Sequence, residues 1–309
     1  MALILDGNRI RDEILEECRP RVAALNAARD LPGLAVVLVG HNPSSEIYVR
    51  NKIRCCQGLG IYSEKLTPPE TATTADLLDV VEGLNQRPEI DSMLIQLPLP
   101  KQIDAQKVLL AVDPEKDADG LHPLNLGKLL TNSPGPRPCT PAGVMELLKR
   151  NHIPVAGKRA VVVGRSDIVG KPMSMLLLHQ HATVTICHSR TANLAEICAE
   201  ADILVAAIGR PGFIKREFIK PGATVVDVGI NRLDSRDDVV RIFRGAPAKL
   251  EAFDRKGSVV VGDVDPIDVE ERAGAYTPVP GGVGLLTVAM LMVNTIEAAE
   301  RRLGAACSA

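Results

Sequence analysis

Two kinds of apolar run alternate along the chain. Short, nearly unbroken stretches occur at 34–39 (LAVVLV), 93–97 (MLIQL), 161–163 (VVV), Thr183–Cys187, 203–207 (ILVAA), 224–228 (TVVDV) and 258–261. A strand buried on both faces reads this way, whereas a half-solvated strand alternates. Longer runs with helical spacing stand between them. Residues 9–29 place Ile10, Ile14, Leu15, Cys18, Val22 and Leu25 on one face. The spacing predicts further helices over 47–59, ended by Gly60, over 73–85, 104–111, 142–150 and 192–200, and a closing helix over 285–303. The segment 113–130 (DPEKDADGLHPLNLGKLL) reads as a loop dense in Asp, Pro and Gly, and the charged 234–256 as a surface excursion. Strand and helix follow one another without hairpin turns, which argues for parallel sheets.

Composition narrows this α/β reading. A chain of 309 residues suits two domains on a prior of roughly 150 residues each. Aromatics are 2% and Trp is absent, so the core is expected from Val, Leu, Ile and Ala. The net charge is −2, and neither a basic run nor an aromatic platform stands out. Nucleic acid is therefore not an expected partner. The seven cysteines lack CxxC spacing, unlike a zinc site or a disulfide framework, and point to reduced thiols in a cytoplasmic protein. His122, Cys187 and His188 lack ligand spacing, so no metal is assigned. The short N-terminal apolar run is too short for the apolar region of a signal peptide, so none is expected, and no apolar window of membrane-spanning length is expected either.

The chemistry starts at 161–172, VVVGRSDIVGKP. A strand ends at Gly164, a polar turn follows, and a helix begins near Gly170. Glycine lets a ligand approach bare backbone, and a helix start offers N–H groups to a phosphate. That is the logic of a dinucleotide cradle. The spacing Gly164-x-Ser166-x-x-Val169-Gly170 departs from G-x-G-x-x-G, and alone it fits an ordinary strand-turn-helix equally well. The next strand decides more. A fold that binds NAD usually ends it with an acid on the ribose 2′-hydroxyl. Here VTICHSRT carries His188, Ser189 and Arg190 instead, and Arg165 follows the first glycine. Two guanidinium groups there favour a 2′-phosphate, hence NADP over NAD. Taken singly, each arginine would more often be a solvated surface residue.

In order and spacing, YVRNK, QLPLP, KDADGLHP, PCTP, GRSDIVGKP, TICHSRT and PVPGGVG resemble the bifunctional methylenetetrahydrofolate dehydrogenase/cyclohydrolase family, from about residue 5 to about residue 303. The resemblance implies two α/β domains with a cleft between them. An N-terminal folate-binding catalytic domain over 1–141 would be completed by the C-terminal helix, 284–309. A Rossmann-type, doubly wound NAD(P)-binding domain would cover 142–283. It further implies oxidation of 5,10-methylenetetrahydrofolate with NADP+, hydration of the methenyl product to 10-formyltetrahydrofolate in the same cleft, and a homodimer.

Site residues follow from the same resemblance. Lys52 matches the active-site lysine, and a lysine in a cleft can serve as general acid and base. Tyr48, one helical turn earlier, would pack on the flat folate, although a half-buried core tyrosine is also common. Gln96, a polar residue in an apolar strand, would hydrogen-bond the lysine, or be a satisfied structural amide. Asp119 matches the pterin anchor. Asp117 is read as a turn former. Pro280, Gly281 and Gly282 would line the folate site. Gly164, Arg165, Ser166, Val169, Gly170, Ser189, Arg190 and Ile230 would contact the cofactor. Three positions depart from the family pattern: Leu285 where proline is usual, Asp167 where Asn is frequent, and Ala118 where Val is frequent. Leu285 questions the stiffness of the PVPGGVG wall. Asp167 puts a negative charge beside the phosphate cradle. The competing readings are a dehydrogenase without hydrolase activity, a non-catalytic NADP-binding regulatory protein, and an amino-acid or shikimate-type dehydrogenase, which would not explain QLPLP or PVPGGVG.

Overall fold

The computed structural model of the chain describes residues 2–28 and 31–307. It contains two compact units. One combines Met1–Arg11 with Thr140–Thr287, and the other combines Asp12–Cys139 with Val288–Ala309.

The first unit is built on a six-stranded sheet, parallel at every pairing. Across the sheet run Leu3–Ile4, Ala275–Tyr276, Thr224–Asp227, Ile203–Ala206, Arg159–Val163 and Thr183–Cys187. After Leu3–Ile4 at one edge, the chain returns to this sheet at Arg159–Val163, steps outward to Thr183–Cys187, then crosses to Ile203–Ala206 on the other side. That reversal is the topological switch point of a doubly wound sheet, where ligands bind beyond the strands' carboxyl ends. The unbroken apolar runs of the central strands are explained by burial on both faces, whereas Thr183–Cys187, also read as such a run, is an edge strand and largely exposed. Val161, Val163, Leu204 and Val225 enter one core cluster, and Ala160, Val162, Ile203, Val205 and Val226 the other.

The second unit has a three-stranded parallel sheet with Gly33–Val37 between Tyr62–Leu66 and Ser92–Ile95. Its core gathers Ala35, Val37, Leu77, Val81, Leu84, Met93 and Ile95. The helix Thr74–Gln86 starts with a reciprocal capping box, Thr73 and Asp76 each accepting from the other's backbone N–H. Lys116 is 5% exposed and gives Nζ protons to the carbonyls of Leu84, Asn85 and Arg87 at that helix's other end. A cation is favoured there, at the negative end of the helix dipole.

Several elements differ from the sequence reading. Tyr62–Leu66 is a strand that polar YSEKL conceals, and charges are what an edge strand carries. The presumed loop holds a helix, Pro123–Leu130, which proline at its first position and the His122 ring favour; Nδ1 accepts from the Leu124 N–H. The presumed excursion is structured as helices Arg236–Ile242 and Pro247–Lys256. They cover a hairpin-like pair, Asn231–Leu233 with Val259–Val261, and share a small core of Leu233, Val239, Ile242, Phe243 and Val261. Leu3–Ile4 was expected within the N-terminal domain, yet it adds an edge strand to the six-stranded sheet. One further correction concerns hydropathy. The C-terminal helix reaches mean hydropathy 1.4 over Val283–Gly304, enough by length and composition to cross a membrane. Leu286, Ala289, Leu291, Met292 and Ile296 on it are fully buried, as in the core helix of a folded protein.

Candidate active site

In the second unit, Asn42 caps the helix Pro43–Leu59 by accepting from the Ser45 N–H at 3.1 Å, and Gly60 closes it in a left-handed turn. The helix therefore begins a turn before the expected residue 47. Tyr48 and Lys52 stand one turn apart on it. The tyrosine is 43% exposed and the lysine 8%. Gln96 follows directly on the strand Ser92–Ile95 and is fixed by its backbone, which donates to the Val37 carbonyl. Lys52 Nζ donates to Gln96 Oε1 at 3.0 Å, and the amide's own N–H goes to the Leu97 carbonyl at 2.9 Å. Gln96 thus presents its oxygen, and only its oxygen, to the lysine.

Asp119 comes beside them because its loop runs along the same strand. Met93 N–H donates to the Lys116 carbonyl, and Ala118 N–H donates to the Met93 carbonyl. Asp117 is a turn former, as read from the sequence. It is buried and accepts from the Gly120 N–H, the His122 N–H and Asn125 Nδ2. Ala118 is buried beneath the loop, and its carbonyl accepts from Cys139 Sγ and Asn294 Nδ2. Burial pushes the Asp119 carboxyl above the ordinary carboxylate range, and the Lys52 charge pulls it back down. That carboxylate has no hydrogen-bond partner among the described residues, and Lys52 has no ion-pair partner among them. A nine-tenths buried lysine that forms no direct ion pair among the described residues, near a half-buried carboxylate without a hydrogen-bond partner among them, is costly for folding and marks a site.

The first unit holds the other expected group. Gly164 ends the strand Arg159–Val163 at φ 136°, and a Cβ there would lie 2.2 Å from the Ala207 carbonyl oxygen. A Cβ on Gly170 would lie 2.3 Å from the Gly164 carbonyl oxygen. Both positions need glycine. Ser166, which stands where the common pattern has glycine, has a task of its own. Its Oγ accepts from the Val169 and Gly170 N–H groups and caps the helix Gly170–His179. Among the described residues, the backbone N–H groups of 165–168 have no acceptor, which leaves the turn as a run of donors for an anion. Gly164 N–H donates to the Cys187 carbonyl, so this turn and the 188–191 turn leave neighbouring strands together. Ser189 and Arg190 lie on that second turn. Arg165, Ser189 and Arg190 are exposed, and neither guanidinium has a partner among the described residues. Asp167 is paired with Lys171 four residues on, and its side chain is exposed.

The wall residues also lie in the first unit. Gly281 accepts from the Gly7 N–H, and a Cβ on Gly282 would lie 2.6 Å from the Pro278 carbonyl oxygen. Backbone contacts hold Pro280, Gly281 and Gly282 in place. Leu285 sits outside that wall, in the first turn of the helix Val283–Cys307, where proline and leucine are both tolerated. Ile230 lies over Gly284, where an added Cβ would meet its Cδ1 at 2.9 Å.

Sequence reasoning missed two buried acids, Asp227 and Asp263. Asp227 accepts from the Gly229, Asp263 and Val264 N–H groups. Burial pushes its carboxyl up to about 7, against the pull of those donors. Asp263 accepts from Ile208, Gly209 and Arg210 N–H and from Asn231 Nδ2. The only signal in the sequence is an acid beside glycine, in DVG and GDVD, and many loops share it. Among the described residues, no group of three or more His, Cys, Asp or Glu side chains could hold a metal ion.

Comparison with known proteins assigns both parts of the chain to one family. Residues 5–119 match the catalytic domain of tetrahydrofolate dehydrogenase/cyclohydrolase, and residues 138–303 match its NAD(P)-binding domain. The bifunctional protein FolD of Solibacter usitatus is 65% identical over 304 residues, covering 98% of this chain and 99% of its own. A crystal structure of the bifunctional methylenetetrahydrofolate dehydrogenase/cyclohydrolase of Campylobacter jejuni superposes with TM-score 0.89 at 38% identity, over 98% of this chain and 100% of that one. The Trypanosoma brucei enzyme, solved with NADP cofactor and an inhibitor, gives TM-score 0.87 at 37% identity, over 97% and 98%.

Proposed function

The chain belongs to the tetrahydrofolate dehydrogenase/cyclohydrolase family, and from that membership we propose how its residues divide the work. The protein oxidises 5,10-methylenetetrahydrofolate to the methenyl cation with NADP+ and hydrolyses that product to 10-formyltetrahydrofolate. When bound, NADP+ accepts the hydride. A folate nitrogen lone pair drives that hydride out, so the dehydrogenase step asks little of protein acids or bases. Hydrolysis asks more: a proton must leave the attacking water and another must reach the departing amine. Lys52 Nζ is the group we assign to both transfers. Gln96 positions it through one hydrogen bond. Tyr48 offers its exposed ring to the pterin face. Asp119 accepts from the amino-pyrimidine edge, and Pro280, Gly281 and Gly282 supply backbone contacts to the folate. Gly164, Ser166, Val169 and Gly170 shape the phosphate turn, Arg165, Ser189 and Arg190 hold the 2′-phosphate, and Ile230 packs against the cofactor. A cytoplasmic homodimer completes the proposal.

The observation that carries this reading is Lys52, 8% exposed, without an ion-pair partner among the described residues and bonded to Gln96. Its direct test is hydrolysis of methenyltetrahydrofolate without any cofactor. We expect turnover well above the solution rate, and dehydrogenation without such turnover would leave only a dehydrogenase.

Two predictions concern the anchors. The Asp119 carboxyl is raised, so the folded state holds its proton at pH values where an unfolded aspartate has lost it. Stability from this group is therefore full below about 3.8 and declines as pH rises through the raised value. Asp119→Asn is expected to raise the melting temperature at pH 7 while increasing the folate KM by about tenfold or more. In the wild type, folate KM should begin to rise on acidification at a pH above the ordinary aspartate range. An unchanged KM in Asp119→Asn would remove the anchor role. The second prediction tests cofactor choice. Arg165→Ala and Arg190→Ala should each raise the KM for NADP+ by about tenfold and leave that for NAD+ nearly unchanged. Equal losses with both cofactors would mean that neither arginine reads the 2′-phosphate.

A further inference from the structure

Asp263 is fully buried, and among the described residues no cationic side chain pairs with it. Its carboxylate is instead satisfied by neighbouring chain segments. Oδ2 accepts from the N–H groups of Ile208 and Gly209, at 2.6 and 3.0 Å. Oδ1 accepts from the Arg210 N–H at 2.8 Å and from Asn231 Nδ2 at 2.9 Å. Three successive N–H groups converging on one point form a concavity that binds anions. Here the protein fills it with its own acid. A Cβ on Gly229 would sit 2.3 Å from the Asp263 carboxyl carbon, so this one group packs against the backbone before Ile230 and bonds the side chain of the residue after it.

Those segments lie where the cofactor is expected. Residues 207–210 leave the strand Ile203–Ala206 at the switch point, and Gly164 must pass close to the Ala207 carbonyl. Residues 229–231 leave the next strand, Thr224–Asp227. Asp263 is held in turn by its neighbour, because its N–H and that of Val264 both donate to Asp227 at 2.9 Å.

We propose that Asp263 is a positioning residue for the dinucleotide site, which fixes the 207–210 and 229–231 turns in the form that receives NADP+. It touches no reacting atom. The proposal rests on the function given above, and it makes a selective claim: it concerns cofactor binding and not the folate chemistry of Lys52.

The bifunctional protein contains its own control, since hydrolysis of methenyltetrahydrofolate consumes no cofactor. In the full-length protein, Asp263→Asn keeps one acceptor oxygen and Asp263→Ala keeps none. Calorimetric titration with NADP+ should show Kd raised by about tenfold in the first and further in the second. The dehydrogenase KM for NADP+ should rise in step, while cofactor-free hydrolysis stays within about twofold of wild type. Asn231→Ala removes a single donor and leaves the acid in place. It guards against a variant at 263 that fails to fold, and it should raise the NADP+ Kd a few-fold with hydrolysis again preserved. A Kd within twofold of wild type in folded Asp263→Asn and Asn231→Ala would overturn the proposal, as would a parallel loss of both activities. Wild-type protein that neither binds NADP+ nor oxidises the folate would refute the underlying function instead.

Discussion

Replacing Lys52 with methionine is expected to lower methenyltetrahydrofolate hydrolysis by a factor of about 10² to 10⁴, the usual worth of a positioned acid or base. Methionine keeps most of the aliphatic bulk and removes Nζ. The lysine is 8% exposed and forms no ion pair among the described residues, so its removal relieves a buried charge as it breaks the bond to Gln96. Stability should therefore hold or rise. The cofactor turn belongs to the unit of Thr140–Thr287, and NADP+ affinity is expected to stay at the wild-type value. Asp119 gives a second readout of the same change. The Lys52 charge lowers its carboxyl, so in Lys52→Met that carboxyl should titrate higher, and the acid-side loss of folate binding should move to higher pH. Hydrolysis within a few-fold of wild type would remove the lysine from the proton-transfer role.

Gly170→Ala should produce the opposite pattern, with NADP+ binding lost and hydrolysis kept. The added methyl would stand 2.3 Å from the Gly164 carbonyl oxygen and 2.8 Å from the Arg165 backbone nitrogen. Both are backbone atoms of the turn itself and cannot swing aside. Overpacking of this kind costs about 1–3 kcal/mol when the surroundings shift. Here the shift would open the turn that offers its N–H groups at 165–168. A weakening of NADP+ binding by about 5- to 150-fold corresponds to that energy. Equilibrium binding and cofactor-free hydrolysis, measured on one preparation, check both halves. Wild-type affinity in this variant would mean that the turn does not hold the pyrophosphate.

What the sequence reveals follows what each residue type says about itself. Val161, Val163, Leu204 and Val225 announce a strand buried on both faces, and that is where they lie. Gly164 and Gly170 mark the cradle because only glycine fits. Ser166 reads as a missing glycine until the structure shows its Oγ capping the helix. Tyr62–Leu66 stays hidden because an edge strand with partly exposed faces has no apolar signature. Leu3–Ile4 is too short for any periodicity and is a strand only because Ala275–Tyr276 lies beside it. Asp227 and Asp263 resemble loop acids along the chain. Their character comes from burial and from donors most of which lie 32 to 55 residues away. Lys116 illustrates the same limit, since a lysine in a polar segment proves to be the buried cap of a distant helix. Asp167 and Leu285, the departures that most invite doubt, each have a local setting that the sequence does not show. One is paired with Lys171, and the other sits in the first turn of a helix.

The most direct test follows the purified protein with 5,10-methylenetetrahydrofolate, given NADP+ in one reaction and NAD+ in the other. Appearance of the methenyl chromophore and then its decay would be recorded in each. The chromophore should form at least tenfold more efficiently with NADP+, by kcat/KM, and should decay faster than in buffer alone. In Lys52→Met it should form and persist. Equal efficiency with both cofactors, or decay no faster than in buffer, would contradict the account.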